Sequence, residues 1–218
     1  MGAELRGLLV DYGGVLTNPL SEIMGGWLRA DGIDPGRFAE LNRRWLGPDA
    51  GPNPIHDLET GRIDAAEFER RVADELLEDR GGTGDRAEAF RTAGLLTRMF
   101  SGMRVVPSML DVVRAARAAG IRTGLLSNSW GLEYEREGWD MLFDAVVISG
   151  EVGMRKPEPA IYALAADRLA LPPDQIVFVD DLSTNVRAAV QAGMIGVRHV
   201  EVEATVTELE ILLGMSLR

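Results

Sequence analysis

Residues 176–181 read IVFVDD, four apolar residues running directly into Asp180 and Asp181. A continuous apolar run without polar alternation describes a strand covered on both faces, as in a parallel sheet. Two adjacent carboxylates at the end of such a strand repel each other and are costly to bury. A hard divalent cation removes that cost, and Mg²⁺ suits an oxygen-only site of one or two carboxylates plus a substrate phosphate. The other reading is a solvated acidic turn that caps a helix starting at Ser183.

The same pattern recurs on either side. Residues 8–12 (LLVDY), 122–127 (RTGLLS), 145–149 (AVVIS) and 195–199 (IGVRH) are short apolar runs ending in small, polar or charged residues. Helical patterns separate most of them. Over 107–119, Met109, Leu110, Val113 and Ala116 fall at helical spacing, and Gly120 marks the stop. A helix over 159–169 opens on Pro159, a favoured first-turn residue. One over 183–192 opens on Ser/Thr/Asn capping chemistry and stops at Gly193. Strand–helix alternation predicts an α/β fold with a doubly wound parallel sheet and right-handed crossovers. Residues 18–103 break the alternation. The stretch 64–79 carries Phe68, Val72, Leu76 and Leu77 on one stripe, and a second helical pattern over 86–100 follows a glycine-rich break at 81–84. Pro48, Pro52 and Pro54 mark an irregular connection. The expected organisation is a core of residues 1–17 and 104–218 carrying an all-helical insertion over 18–103.

Ligands of open α/β sheets bind outside the carboxyl ends of the strands. There the sequence places Asp11-Tyr12-Gly13-Gly14, Ser127-Asn128, the segment from Gly150 to Lys156, and Asp180-Asp181. Asp11 suits three roles: capping the next turn, ligating a metal, or attacking phosphorus as a carboxylate nucleophile. Gly13 and Gly14 let the backbone turn sharply and approach a ligand closely. The Ser127 hydroxyl, the Asn128 amide and nearby N–H groups are suitable donors to phosphoryl oxygens. Lys156 is the single Lys among twenty-two Arg. Lys is a compact point charge where Arg is a broad planar fork, so this position suits a small cation between carboxylate and phosphate.

Composition narrows the classes. The 218 residues are 46% hydrophobic and 26% charged, enough apolar material for a sizeable core. The formal net charge of −11 disfavours nucleic acid and anionic membrane as partners. An anionic substrate then requires a local device such as a cation. With no cysteine, disulfides and thiol chemistry are excluded. No apolar run reaches the roughly 18 residues of a membrane span. Glu4 precedes a short apolar run with no cleavage site, and Arg6 stands where a myristoylation signal needs Ser or Thr. A cytoplasmic protein, monomer or homodimer, is expected.

The segments DYGGVLTN, LLSNS, VGMRKPEPAIY and VFVDDLSTNVRAA, in that order, resemble the four motifs of the haloacid dehalogenase-like (HAD) hydrolase superfamily. The match covers residues 5–17 and about 104–200, and the helical insertion resembles the C1 cap of this superfamily. The resemblance implies a Rossmann-like core with a mobile lid. It implies Asp11 as nucleophile, Ser127 as the phosphate-binding hydroxyl and Lys156 as the stabilising cation. It also implies Mg²⁺ held by Asp11, the Gly13 carbonyl and Asp181, with Asp180 ligating directly or through water. Gly13, Gly14, Ser127, Asn128 and Lys156 are the expected substrate contacts.

The chain departs from the family pattern at Gly13, where HAD phosphatases usually carry a second Asp as general acid and base. That help is worth about 10²–10⁴-fold in rate. Branches with Gly there include sugar-phosphatase-like members and the N-terminal domains of certain acyl-CoA dehydrogenase fusions. The leading expectation is therefore a Mg²⁺-dependent hydrolase of a small phosphorylated metabolite, a sugar phosphate being one candidate. The alternative is a phosphate-binding or regulatory protein with little turnover. A 2-haloacid dehalogenase ranks third, because its first motif carries Tyr two residues after the Asp, whereas Tyr12 follows Asp11 directly. His56 or Glu59 is expected near the leaving group; these two with Trp27, Trp45, Arg62 and Trp130 are candidates for the substrate entrance, the other reading of Trp at helical spacing being core packing. His199 is expected to be structural. Residues 17–19 and 101–104, with Gly102, are the expected hinges.

Overall fold

The computed structural model describes residues 4–46, 53–78, 93–131 and 133–218. Five strands form one parallel sheet: β1 (Gly7–Val10), β2 (Arg122–Ser127), β3 (Ala145–Ile148), β4 (Ile176–Asp180) and β5 (Ile195–Arg198), in the order β3-β2-β1-β4-β5. The helices in chain order are α1 (Leu20–Ala30), α2 (Pro35–Leu46), α3 (Pro54–Glu59), α4 (Ala65–Glu78), α5 (Leu95–Met99), α6 (Pro107–Ala118), α7 (Trp139–Leu142), α8 (Ser149–Val152), α9 (Pro159–Arg168), α10 (Ser183–Gln191) and α11 (Val202–Leu213). This is the expected α/β, Rossmann-like architecture. No described helix is long and apolar enough to cross a membrane.

Burial explains the apolar runs. All four residues of β1 and all five of β4 are buried, because helices cover both faces of the sheet. One face packs Leu8, Val10, Val177 and Val179 against Met109, Val113 and Leu209. The other packs Leu9 and Phe178 against Ile161, Tyr162 and Ala189. Burying each such side chain contributes about 1.5–3 kcal/mol. The fifth strand departs from the expectation of cover on both faces. It pairs with β4 alone, at the edge of the sheet, and leaves Ile195 40% exposed. His199 beside it is structural in its contacts, with Nδ1 2.8 Å from the Thr205 hydroxyl at the start of α11.

Three strands stop before their apolar pattern does. β1 ends at Val10 because the chain turns immediately, with the Leu16 and Thr17 N–H groups both donating to the Tyr12 carbonyl. Asp11 thus lies just past the strand. β3 gives way to α8 at Ser149, and β5 ends at Arg198. Ser183 is the first residue of α10, not its cap; the cap position is Leu182, whose N–H is taken by the Asp180 carboxylate at 2.8 Å.

The described part of 18–103 is helical, apart from its turns and linkers, and has its own apolar cluster. Trp27 and Trp45 belong to that cluster, so they are packing residues and not entrance residues. Trp130 packs on Phe100, ring centroids 5.4 Å apart. Phe68 and Val72 lie on the buried stripe of α4 as expected. Pro48, Pro52, the break at 81–84, residues 86–92 of the second helical pattern and the side chains of Leu76 and Leu77 lie outside the described residues. Of that second pattern the described part forms α5. The two linkers to the sheet run side by side. Thr17 bridges Val105, the Asn18 N–H donates to the Arg104 carbonyl, and the Asn18 side chain bonds the Gly102 carbonyl and the Arg104 N–H.

Candidate active site

Successive strands run outward from β1 to β3, then the chain crosses back to β4 on the other side of β1. The carboxyl ends of β1 and β4 therefore flank the switch in strand order, where open sheets form their crevice. Val10 is level with Val179, so Asp11 and Asp180 leave neighbouring strands at the same height. Asp11, Asp180 and Asp181 each present a carboxylate oxygen within 4.8 Å of the others.

Lys156 reaches this point from the segment between α8 and α9. Its Nζ lies 2.8 Å from Asp11 Oδ1 and 2.7 Å from Asp180 Oδ2, and its side chain is 1% exposed. The ammonium also sits 5.5 Å from the centre of the Phe178 ring. A compact ammonium suits a buried position between two carboxylates better than a broad planar guanidinium, consistent with Lys here in a chain otherwise written in Arg. The Tyr12 N–H donates to the same Asp11 oxygen at 2.7 Å, which orients Oδ2 outward from that pair.

The Asp180 carboxylate is saturated. It accepts from Lys156, from the Leu182 N–H and from the Asn185 amide, which is 3.0 Å from both oxygens. Asn185 is itself fixed, since the Tyr162 hydroxyl donates to its carbonyl at 3.0 Å. Asp181 stands on the open side and packs on Gly14. That glycine has φ +75°, which strains any other residue, and a Cβ there would lie 2.5 Å from Asp181 Oδ2, so a side chain would have to displace the carboxylate. Gly13 is exposed, and a Cβ there would meet nothing within 4 Å.

One ammonium does not balance three carboxylates. Burial raises the Asp11 carboxyl to about 7 against the pull of Lys156, and Asp180 and Asp181 add to the rise. Burial also lifts Asp181, to about 6, with Asp180 pushing the same way. On the other partner, the two carboxylates hold Lys156 firmly protonated, outweighing the effect of burial. The set lacks positive charge and offers only oxygen donors, which is the chemistry a hard divalent cation satisfies.

Ser127 ends β2 with its hydroxyl 2.9 Å from that of Tyr134. Asn128 turns elsewhere than expected of a phosphate donor. Its amide accepts from the Lys156 N–H at 2.9 Å and donates to the Lys156 carbonyl at 3.1 Å, so it fastens the chain that carries the ammonium. Glu59 is buried and pairs with Arg155, the residue before Lys156. Burial raises its carboxyl, and the Arg155 guanidinium opposes the rise. His56 is half-buried near Arg155 and Glu158; burial, then Arg155, holds its imidazole below the usual range. Arg62 pairs with Asp57 at the surface. A cavity of about 510 Å³ is lined by Leu58, Ala65, Ser129, Tyr134, Arg136 and Gly150 among others; Tyr134 links it to Ser127, and the three carboxylates do not line it.

The sequence reading missed Tyr134, Asn185 and Arg155. Asn185 carried a signal, an amide one turn beyond the paired acids. Tyr134 sits in an irregular loop with no periodicity to single it out.

A family model described as haloacid dehalogenase-like hydrolase matches residues 5–193, and the chain belongs to this family of hydrolases. Acyl-CoA dehydrogenase family member 10 of Mus musculus is 29% identical over 225 residues, covering 99% of this chain and 20% of that protein. The glyceraldehyde 3-phosphate phosphatase of Methanopyrus kandleri is 34% identical over 104 residues, 45% of each chain. The chain thus spans a fifth of the mouse relative's length, and the archaeal match covers less than half of its protein. Among solved structures, a HAD-family enzyme of Bacteroides thetaiotaomicron in complex with magnesium and inorganic phosphate superposes with a TM-score of 0.62 at 21% identity, covering 90% of this chain and 94% of that one. At that identity the likeness speaks to the fold.

Proposed function

We propose that the protein is a Mg²⁺-dependent phosphomonoester hydrolase of a small phosphorylated metabolite, working through an aspartyl-phosphate on Asp11. The observation that carries this reading is the convergence of Asp11, Asp180 and Asp181 with Lys156 at the ends of two neighbouring strands. The phosphatase named among the relatives supports it.

Asp11, the Gly13 carbonyl and Asp181 are the residues that would hold Mg²⁺. Asp180, whose two oxygens already accept hydrogen bonds, would join them directly or through water. The ion supplies charge neutralisation between the carboxylates and the incoming phosphate. The chain's own groups do the rest. Asp11 attacks phosphorus, with its carboxylate held in one orientation by Lys156 and the Tyr12 N–H. Lys156 offsets the charge that builds on the phosphoryl oxygens, and the Ser127 hydroxyl holds one of them. Water then hydrolyses the aspartyl-phosphate and frees Asp11. The helices between β1 and α6 serve as the cap, and residues 17–19 and 101–104 carry its motion. The organic part of the substrate occupies the cavity beside Ser129 and Tyr134.

Exposed, side-chain-free Gly13 favours a second reading: a binding protein for phosphorylated ligands without turnover. A single assay separates the two. Hydrolysis of p-nitrophenyl phosphate and glucose 1-phosphate is measured with Mg²⁺, with EDTA, and with Mg²⁺ restored. The hydrolase reading predicts turnover that EDTA reduces at least about 100-fold and Mg²⁺ restores. Absence of turnover, with calorimetric binding of the phosphate esters, supports the binding reading. Chloride release from 2-chloropropionate without metal points to dehalogenation.

A further inference from the structure

We propose that Tyr134 donates the proton to the leaving oxygen, the role left without a side chain at Gly13. This inference rests on the hydrolase reading. Its ground is the hydrogen bond between the Tyr134 and Ser127 hydroxyls, 2.9 Å long, at the meeting point of the β2 strand end and the neighbouring cavity. Ser127 is the hydroxyl placed to hold the phosphoryl group, and Tyr134 lines the cavity assigned to the organic part. The phenol therefore stands where the bond between the two must break.

The ring is held for this purpose. It packs edge-on against Tyr12, centroids 5.2 Å apart, and against Trp139 at 5.7 Å. Tyr12 follows Asp11 directly, so these contacts tie the phenol to the nucleophile's own loop. Burial pushes the Tyr134 hydroxyl up to about 12, with Asp11 adding to the rise and the Ser127 hydrogen bond and Lys156 opposing it. It keeps its proton at neutral pH, and an alkoxide leaving group is basic enough to take it. The two carboxyl and imidazole candidates on α3 are otherwise placed. Glu59 is bound to Arg155, and His56 stands half-buried near Arg155 and Glu158.

The proton accounting closes. As the Asp11 oxygen bonds to phosphorus, the bond from phosphorus to the leaving oxygen breaks and its electron pair stays on that oxygen. The leaving oxygen takes the Tyr134 proton and departs as an alcohol, leaving a phenolate near the Lys156 charge. Water then attacks phosphorus and passes a proton to the phenolate. The bond from phosphorus to Asp11 breaks, restoring carboxylate and phenol.

The test compares wild type and Tyr134→Phe on two esters with Mg²⁺. p-Nitrophenolate leaves without a proton; ethoxide does not. For Tyr134→Phe, kcat/KM on ethyl phosphate is expected to fall about 100-fold, against a change within about threefold on p-nitrophenyl phosphate. Equal losses on both esters, or no loss on either, overturn the assignment. A fold defect lowers both rates by one factor, so the ratio reads the proton alone. If wild type hydrolyses neither ester, no better than Asp11→Asn, the hydrolase reading fails first and takes this inference with it.

Discussion

Asp11→Asn is expected to abolish hydrolysis, lowering kcat on the order of 10⁴-fold or more while the protein stays folded. The substitution preserves shape. An amide oxygen can still accept from Lys156 and from the Tyr12 N–H, which together hold Asp11 Oδ1. What disappears is the charge that attacks phosphorus. Removing it also takes one negative charge out of a cluster of three carboxylates. Inorganic phosphate should therefore bind Asp11→Asn at least as tightly as wild type, by about tenfold if the two charges act across a few ångströms at a partly screened site. Steady-state kinetics and calorimetry check the two halves. Turnover within tenfold of wild type removes Asp11 from the chemistry.

Lys156→Met is expected to cost about 3–5 kcal/mol of stability at neutral pH, together with activity. The ammonium lies within 2.8 Å of two buried carboxylates, and Asp180 is fully buried. Without it those carboxylates face each other uncompensated. Asp11, whose rise Lys156 opposes, then binds a proton more readily, and a carboxyl whose folded pKa is raised loses stability as pH rises through that value. The deficit of Lys156→Met should accordingly shrink as pH is lowered toward 5. Adding Asp180→Asn to the variant should return part of the loss, since the second change removes the charge the first stranded. Urea denaturation of wild type and both variants at two pH values is the measurement. Equal stability of Lys156→Met and wild type at pH 7 refutes the bridging role.

Much of the sheet could be read from apolar runs because parallel strands are covered on both faces, as IVFV at 176–179 shows. IGVR at 195–198 carried the same signature yet lies at an edge, since strand order is a tertiary property that no local run encodes. The acids and the lone Lys were legible because each sits where an apolar run ends, and charge at such a place is expensive unless used. Asn128 and Asn185 were harder. Both are common turn residues, and only the folded chain shows that one clasps the Lys156 backbone while the other saturates Asp180. Tyr134 had no local signal at all. Its place is set by ring contacts with Tyr12 and Trp139, which only the folded chain makes.

The most direct test of the account is to trap the covalent intermediate. The enzyme is mixed with p-nitrophenyl phosphate and Mg²⁺, quenched during turnover, reduced with borohydride and digested for peptide mass spectrometry. An acyl phosphate on Asp11 is reduced to an alcohol, so homoserine at position 11 is the predicted result. Unaltered Asp11 in a sample that has released p-nitrophenolate, or reduction at another carboxylate, would contradict it.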